Sequence, residues 1–291
     1  MALRGPWLAS FSLLLACGAP RVPVAAAIEI QDDNGTWVRL AAPAARVVSL
    51  APATTELVFA LGAGARLVGR TKWCDYPAEA AAVPSVGDGM SPNVEAIAAV
   101  TPDLVLVYRS PGNAEAVGKL RSLGIAVVEL GFDRFVDFER AARTVAAALG
   151  RPAAGDSLAV ASRAALERAT VATNRPPSVL IVAWSDPPMT LGGGSFLNEI
   201  IERAGGRNLF ADQARPSFVV SLEAVTARDP DRVLVVGEET PVFADRPEWQ
   251  AIEAIRLRRF VRVSGSMFNR PGPRMADAVA TLARALNAAN P

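Results

Sequence analysis

The sequence predicts an α/β fold of two Rossmann-like lobes joined by a single long backbone α-helix, and three observations lead there. Short apolar runs alternate with longer amphipathic ones, the pattern of strands interleaved with helices. The alternation stops in an alanine-rich helical stretch and then restarts. The chain has 291 residues, which exceeds one typical domain of roughly 100 to 150 residues.

The elements follow in order. Residues 1–27 read as an export signal: Arg4 gives a basic start, Pro6 to Ala16 is an apolar run too short to span a bilayer, and small residues follow. The run Leu14-Leu15-Ala16-Cys17-Gly18 resembles a bacterial lipobox, in which the cysteine is lipidated; cleavage near Ala25 to Ala27 is the other outcome. A polar stretch from Gln31 to Arg39 holds a hairpin strand around Trp37.

The first lobe, residues 44–150, takes strands at 46–50, 67–69, 104–107 and 126–130. Its first helix has Thr54 or Thr55 as cap and runs to Leu61. Pro92 opens a second, with Glu95 in the first turn, where the helix dipole favours an acid. A third runs from Asn113 to Leu123 and ends at Gly124. Phe135 to Leu149 is helical, and residues 153–174 form the connecting helix, a stiff spacer. The second lobe, residues 177–291, has strands at 179–182, 233–236 and 261–263, with helices at 195–203, 249–255 and 276–288.

Composition removes whole function classes. A formal net charge of +1, with 20% charged residues, leaves no basic surface for a polyanion, so nucleic acid is not an expected partner. The chain has no histidine, which excludes a Ser-His-Asp triad, a zincin site and a histidine-ligated metal receptor. Asp75, Asp186 and Asp245 are scattered without a paired arrangement, so neither a catalytic site, a metal site nor a resident cofactor is predicted. The run Gly192-Gly193-Gly194-Ser195 lacks the lysine and spacing of a phosphate loop and reads as a tight turn.

The blocks Ser49-Leu50-Ala51-Pro52-Ala53-Thr54-Thr55-Glu56-Leu57, Cys74-Asp75-Tyr76-Pro77, Asn93-Val94-Glu95, Thr101-Pro102-Asp103-Leu104-Val105 and Gly112-Asn113-Ala114-Glu115 stand in a telling order. With Pro187-Pro188, Val220-Ser221-Leu222-Glu223 and Pro273-Arg274 in the second lobe, they make the chain resemble the helical-backbone receptors for metal chelates. That family includes cobalamin, siderophore and haem binders. The resemblance implies a ligand cleft between the lobes and an exported, extracytoplasmic solute-binding protein with no chemistry of its own. It would deliver its ligand to the permease of an ABC importer and, through it, to the ATPase. Cobalamin or a related corrinoid is the expected ligand, with a ferric siderophore or haem as the alternative. A lipid-anchored sensor is the alternative of another class, and the membrane is expected to be touched only through a lipid on Cys17.

A wide, partly apolar chelate needs aromatic faces and a few polar groups for its amide rim. Aromatics are only 6% of the chain, and α/β lobes present ligands at strand ends. Trp73 and Tyr108 occupy aromatic ligand positions of the cobalamin receptors. Trp184, Phe218 and Phe268 follow later strands or lie in loops, with core packing as the ordinary alternative. The chain departs from those receptors at Asp88-Gly89-Met90 and at Met267, where they carry tryptophans. Tyr76 and Tyr108 are the only tyrosines available to a haem iron. Arg70, Lys72, Arg109 and Arg270 are the cations available to an anionic siderophore, with a solvated surface charge as the alternative. In the family, glutamates at the positions of Glu95 and Glu223 dock on permease arginines, one per lobe.

Overall fold

The computed structural model describes residues 27–237 and 239–288. The signal segment, Cys17 included, lies outside them apart from Ala27. Two parallel four-stranded sheets form the centres of the two lobes. In the first, strands run in the order Leu67–Arg70, Val47–Ser49, Leu104–Tyr108, Ala126–Leu130. In the second, the order is Arg207–Asn208, Ser178–Val182, Arg232–Val236, Phe260–Val263. Counted along the chain within each sheet, both read 2-1-3-4. The first strand of each therefore lies beside the third, and the order reverses there. Val47–Ser49 and Ser178–Val182 are buried at every position, as strands covered on both faces must be.

Between the lobes, the helix Phe135–Ala148 packs along Pro152–Ala169, which in turn packs on the last helix, Met275–Ala288. The 18 residues of Pro152–Ala169 span about 27 Å at 1.5 Å per residue. This connecting helix starts with proline, whose missing N–H costs nothing there. It stops at Ala169, whereas the sequence reading carried it to residue 174. The Val171 N–H donates instead to the carbonyl of Arg203, so tertiary pairing draws the chain out of the helix. One apolar cluster runs through the whole interface, holding Leu57, Leu106 and Phe138 of the first lobe with Ile181, Ile200 and Leu282 of the second. A contact this apolar opposes free hinge motion.

Gly155 shows how closely the paired helices meet. A Cβ there would stand 2.5 Å from the Ala146 Cβ and 2.9 Å from the Ala142 carbonyl oxygen. Helix propensity favours replacing glycine by roughly 0.5–1 kcal/mol, but overpacking costs about 1–3 kcal/mol. Gly155→Val, which adds a branched side chain at the tightest point, is expected to lose about 2 kcal/mol in denaturant unfolding; unchanged stability would show that the helices separate at no cost.

Three further local readings are corrected. Thr54 and Thr55 lie inside the helix Pro52–Ala60, whose N-cap is Ala51. Their hydroxyls turn back on Ser49 Oγ at 2.6 and 2.8 Å and on the Ala51 carbonyl, tying the helix to the preceding strand. The predicted helix 249–255 divides into the 3₁₀ turn Pro247–Ala251 and the short helix Glu253–Arg256. Finally, Trp184–Ser185, Pro188–Leu191 and Ser217–Val219 form an antiparallel three-stranded sheet that the sequence reading did not foresee. Added Cβ atoms on Gly192, Gly193 and Gly194 would come within 2.2–2.5 Å of carbonyl oxygens in residues 211–215. These glycines therefore serve a close backbone approach along this sheet.

Candidate functional site

The residues that leave the carboxyl ends of both parallel sheets converge on one cavity of about 790 Å³. From the first lobe come Leu50 and Ala51, Trp73, Tyr108 and Phe132, each at or beyond the end of a different strand. From the second come Val182, Ala183, Val236 and the segment from Phe268 to Pro271. The crevice outside the strand ends, where strand order reverses, is where open α/β sheets bind ligands. The volume lies toward the upper part of the range of about 300–1,000 Å³ found for small-molecule pockets.

The expected ligand residues do not share one fate. Trp73 lines the cleft and is 55% exposed. The Lys72 ammonium sits 4.7 Å from its ring centroid and is itself held by Asp88 at 3.1 Å. Tyr108 also lines the cleft, and its hydroxyl donates to Asp133 Oδ1 at 2.9 Å. Burial first, and then the Asp133 carboxylate, pushes its phenol up to about 12. Phe268 reaches the cleft but is only 2% exposed and belongs to the interlobe core. Trp184 stands beside the cleft, outside its lining, and donates its indole N–H to the Asp186 carbonyl at 2.8 Å. Phe218 is taken up in packing: it meets Phe210 edge-on at 5.6 Å, with the Arg215 guanidinium 4.7 Å from its ring.

Arg270 lines the cleft as expected, but its charge is already matched. Its guanidinium donates to Glu56 at 3.1 Å and to Asp75 at 2.5 Å. Glu56 also accepts from Arg274 at 2.6 and 2.9 Å, so one carboxylate of the first lobe holds two arginines of the second. Burial pushes the Asp75 carboxyl up, but Arg270 outweighs it and keeps the group below the usual carboxylate range. The other proposed cations stay outside the lining, and their donors are engaged elsewhere. Arg70 donates to the carbonyls of Ala80, Thr71 and Ala81, Arg109 donates to that of Asp33, and Lys72 serves Trp73 and Asp88. Tyr76 is outside the lining, its ring 3.9 Å from the Arg274 guanidinium.

The sequence reading does not single out Ser110, Asn113, Phe132, Asp133 and Asn269, which add a hydroxyl, two amides, a carboxylate and a further ring to the lining. Phe132 and Asp133 directly follow the strand Ala126–Leu130 and Gly131, so position alone could have found them. Met90 lines the cleft and is 83% exposed.

Away from the cleft, Glu95 and Glu223 have the same setting. Each is exposed at the second position of its helix, after an N-cap whose side-chain oxygen accepts from the third helical N–H. Asn93 accepts from Ala96, and Ser221 from Ala224. Neither glutamate enters an ion pair among the described residues.

Comparison with known proteins agrees with this geometry. A family model described as periplasmic binding protein matches residues 47–265. An uncharacterized ABC transporter substrate-binding lipoprotein of Bacillus subtilis is 30% identical over 269 residues, covering 89% of this chain and 85% of the relative. A vitamin B12-binding protein of Salmonella typhimurium is 33% identical over 250 residues, covering 85% and 92%. The periplasmic heme-binding protein of Roseiflexus sp. RS-1 superposes with a TM-score of 0.75 at 28% identity, covering 84% of this chain and 98% of that one. The chain therefore belongs to the periplasmic binding protein family and is an exported substrate-binding component of the ABC-importer type.

Proposed function

We propose that this protein captures cobalamin or a related corrinoid in the interlobe cleft and delivers it to an importer permease. The observation that carries the reading is the chemistry of the lining. A large apolar cavity bears rings at Trp73 and Tyr108 and neutral polar groups at Ser110, Asn113 and Asn269. Arg270, the one lining cation among the described residues, is already paired with Glu56 and Asp75. That set suits an uncharged, amide-rimmed chelate. An anionic siderophore calls for cations with unspent charge, and none lines this cleft among the described residues. Haem is favoured by the likeness to the Roseiflexus protein, but its iron would need a phenolate here. Tyr108 is the tyrosine in the cleft, and its hydroxyl is already engaged with Asp133 at 2.9 Å. The relatives' names add support for a corrinoid.

Visible spectroscopy and calorimetric titration of the mature protein with cyanocobalamin, cobinamide, haem and a ferric siderophore test the reading. Corrinoid binding is expected to be tightest. Binding of haem or siderophore alone keeps the importer role and overturns the ligand.

Glu95 and Glu223 are the docking residues of this proposal, one on each lobe, and Cys17 is its lipid anchor, as in the lipoprotein relative. Two matched, exposed carboxylates, one on each lobe, would speed and orient encounter with basic permease patches. Reversing both in Glu95→Lys/Glu223→Lys is expected to abolish uptake in a reconstituted importer while corrinoid affinity stays within about twofold. Uptake at the wild-type rate removes the docking role.

A further inference from the structure

We infer that Asp133 sets the charge selectivity of the cleft, rejecting chelates with carboxylate rims in favour of those whose rims are neutral or cationic. The inference deepens the proposed function and takes its first probe from it.

Among the described residues, the lining contains two charged side chains, Asp133 and Arg270. They are not equivalent. Arg270 has a carboxylate on either side, Glu56 at 3.1 Å and Asp75 at 2.5 Å, and offers a ligand no net positive field. Asp133 is half-buried and enters no ion pair among the described residues. Its hydrogen-bond donor is neutral, the Tyr108 hydroxyl at 2.9 Å, so its charge is shared without being cancelled.

The charges packed around it do not cancel it either. Arg140 pairs with Asp33 at 2.6 Å and with Asp137 at 2.8 Å, while Arg109 donates to the Asp33 carbonyl. Arg134, next in the chain, is bound to Glu199. Two arginines against Asp33, Asp133 and Asp137 leave one negative charge in excess, and Asp133 is the member of that group on the cleft wall. The Tyr108 phenol is held up first by burial and then by the Asp133 carboxylate, with Arg109 acting in the opposite direction.

A ligand carboxylate brought within several ångströms of Asp133, in a site drier than bulk water, meets repulsion worth about a factor of ten in affinity. An amide at the same place meets none, and can donate an N–H to the carboxylate. Discrimination built from such a repulsive element needs no extra attraction to the preferred ligand.

The experiment compares cyanocobalamin with its monocarboxylate derivative, in which one peripheral propionamide is hydrolysed, by calorimetry on the mature protein. Wild type is expected to bind the carboxylate about tenfold more weakly, with the gap narrowing as salt is raised. Asp133→Asn keeps an acceptor for Tyr108 and is expected to close the gap; Asp133→Glu keeps the charge and is expected to preserve it. Equal binding of both corrinoids by wild type, or an unchanged gap in Asp133→Asn, overturns the inference. If neither corrinoid binds, the corrinoid reading has failed, and haem against its neutral dimethyl ester decides the charge rule separately. A wild-type preference for the ester that disappears in Asp133→Asn supports it, and no preference overturns it.

Discussion

Glu56→Gln is expected to cost about 3–5 kcal/mol of stability in denaturant unfolding, more than any surface charge in the molecule. Glu56 is 2% exposed at its side chain, and its partners Arg270 and Arg274 are 14% and 17% exposed. At that depth the Coulombic gain of a pair and the cost of taking it out of water nearly balance. Removing one partner nevertheless leaves charges in the interior with nothing to answer them, at roughly the cost given. Here one carboxylate answers two guanidiniums, so its neutralisation strands Arg274 and leaves Arg270 with the exposed Asp75 alone. Gln keeps the shape and an acceptor oxygen, which isolates the charge from any cavity effect. The bond also crosses the lobes, since Glu56 stands on the helix Pro52–Ala60 and the arginines precede or open the last helix. Limited proteolysis of the cleft loops should therefore accelerate in the variant. A loss below about 1 kcal/mol would mean that the apolar interface alone fixes the two lobes.

How much of this could be read in advance depends on whether the cause was local. The eight strands of the two parallel sheets gave strong signals wherever they are continuously buried, because an apolar run such as Leu104-Val105-Leu106-Val107 has no other use. The two-residue strand Arg207–Asn208 and the antiparallel sheet around Pro188–Leu191 left no such run, since pairing between distant segments made them. The chain ends of the sheets predicted where a ligand would sit, and Trp73 and Tyr108 are found there. Phe218 was indistinguishable in sequence, yet Phe210 and Arg215 claim it. Arg270 lines the cleft as its position predicts, but its charge state was hidden for a related reason. Its neutralising partner lies 214 residues away in sequence, in a block whose resemblance was recognised but whose glutamate had no assigned work. Sequence shows that a charge is present; only the fold shows whether it is already spent.

Trp73→Ala is expected to weaken corrinoid binding by about thirtyfold and leave folding nearly untouched. The indole is 55% exposed in the cleft, so the fold gains little from it. A flat ligand laid against one face would remove on the order of 80 Å² of that ring from water, worth about 2 kcal/mol at roughly 25 cal/mol per Å². The ring is also held ready. Lys72 lies over it at 4.7 Å, and Asp88 fixes Lys72 at 3.1 Å, so little side-chain freedom remains to be lost on binding. If that preorganisation matters, Lys72→Met should weaken binding by a smaller factor, and Trp73→Phe should retain much of the wild-type affinity because a ring face remains. Calorimetry of the three variants, with thermal melts alongside, separates the contributions. A change of less than threefold for Trp73→Ala would mean that the ligand sits deeper, against Phe268 and Tyr108, and that the exposed indole serves another surface.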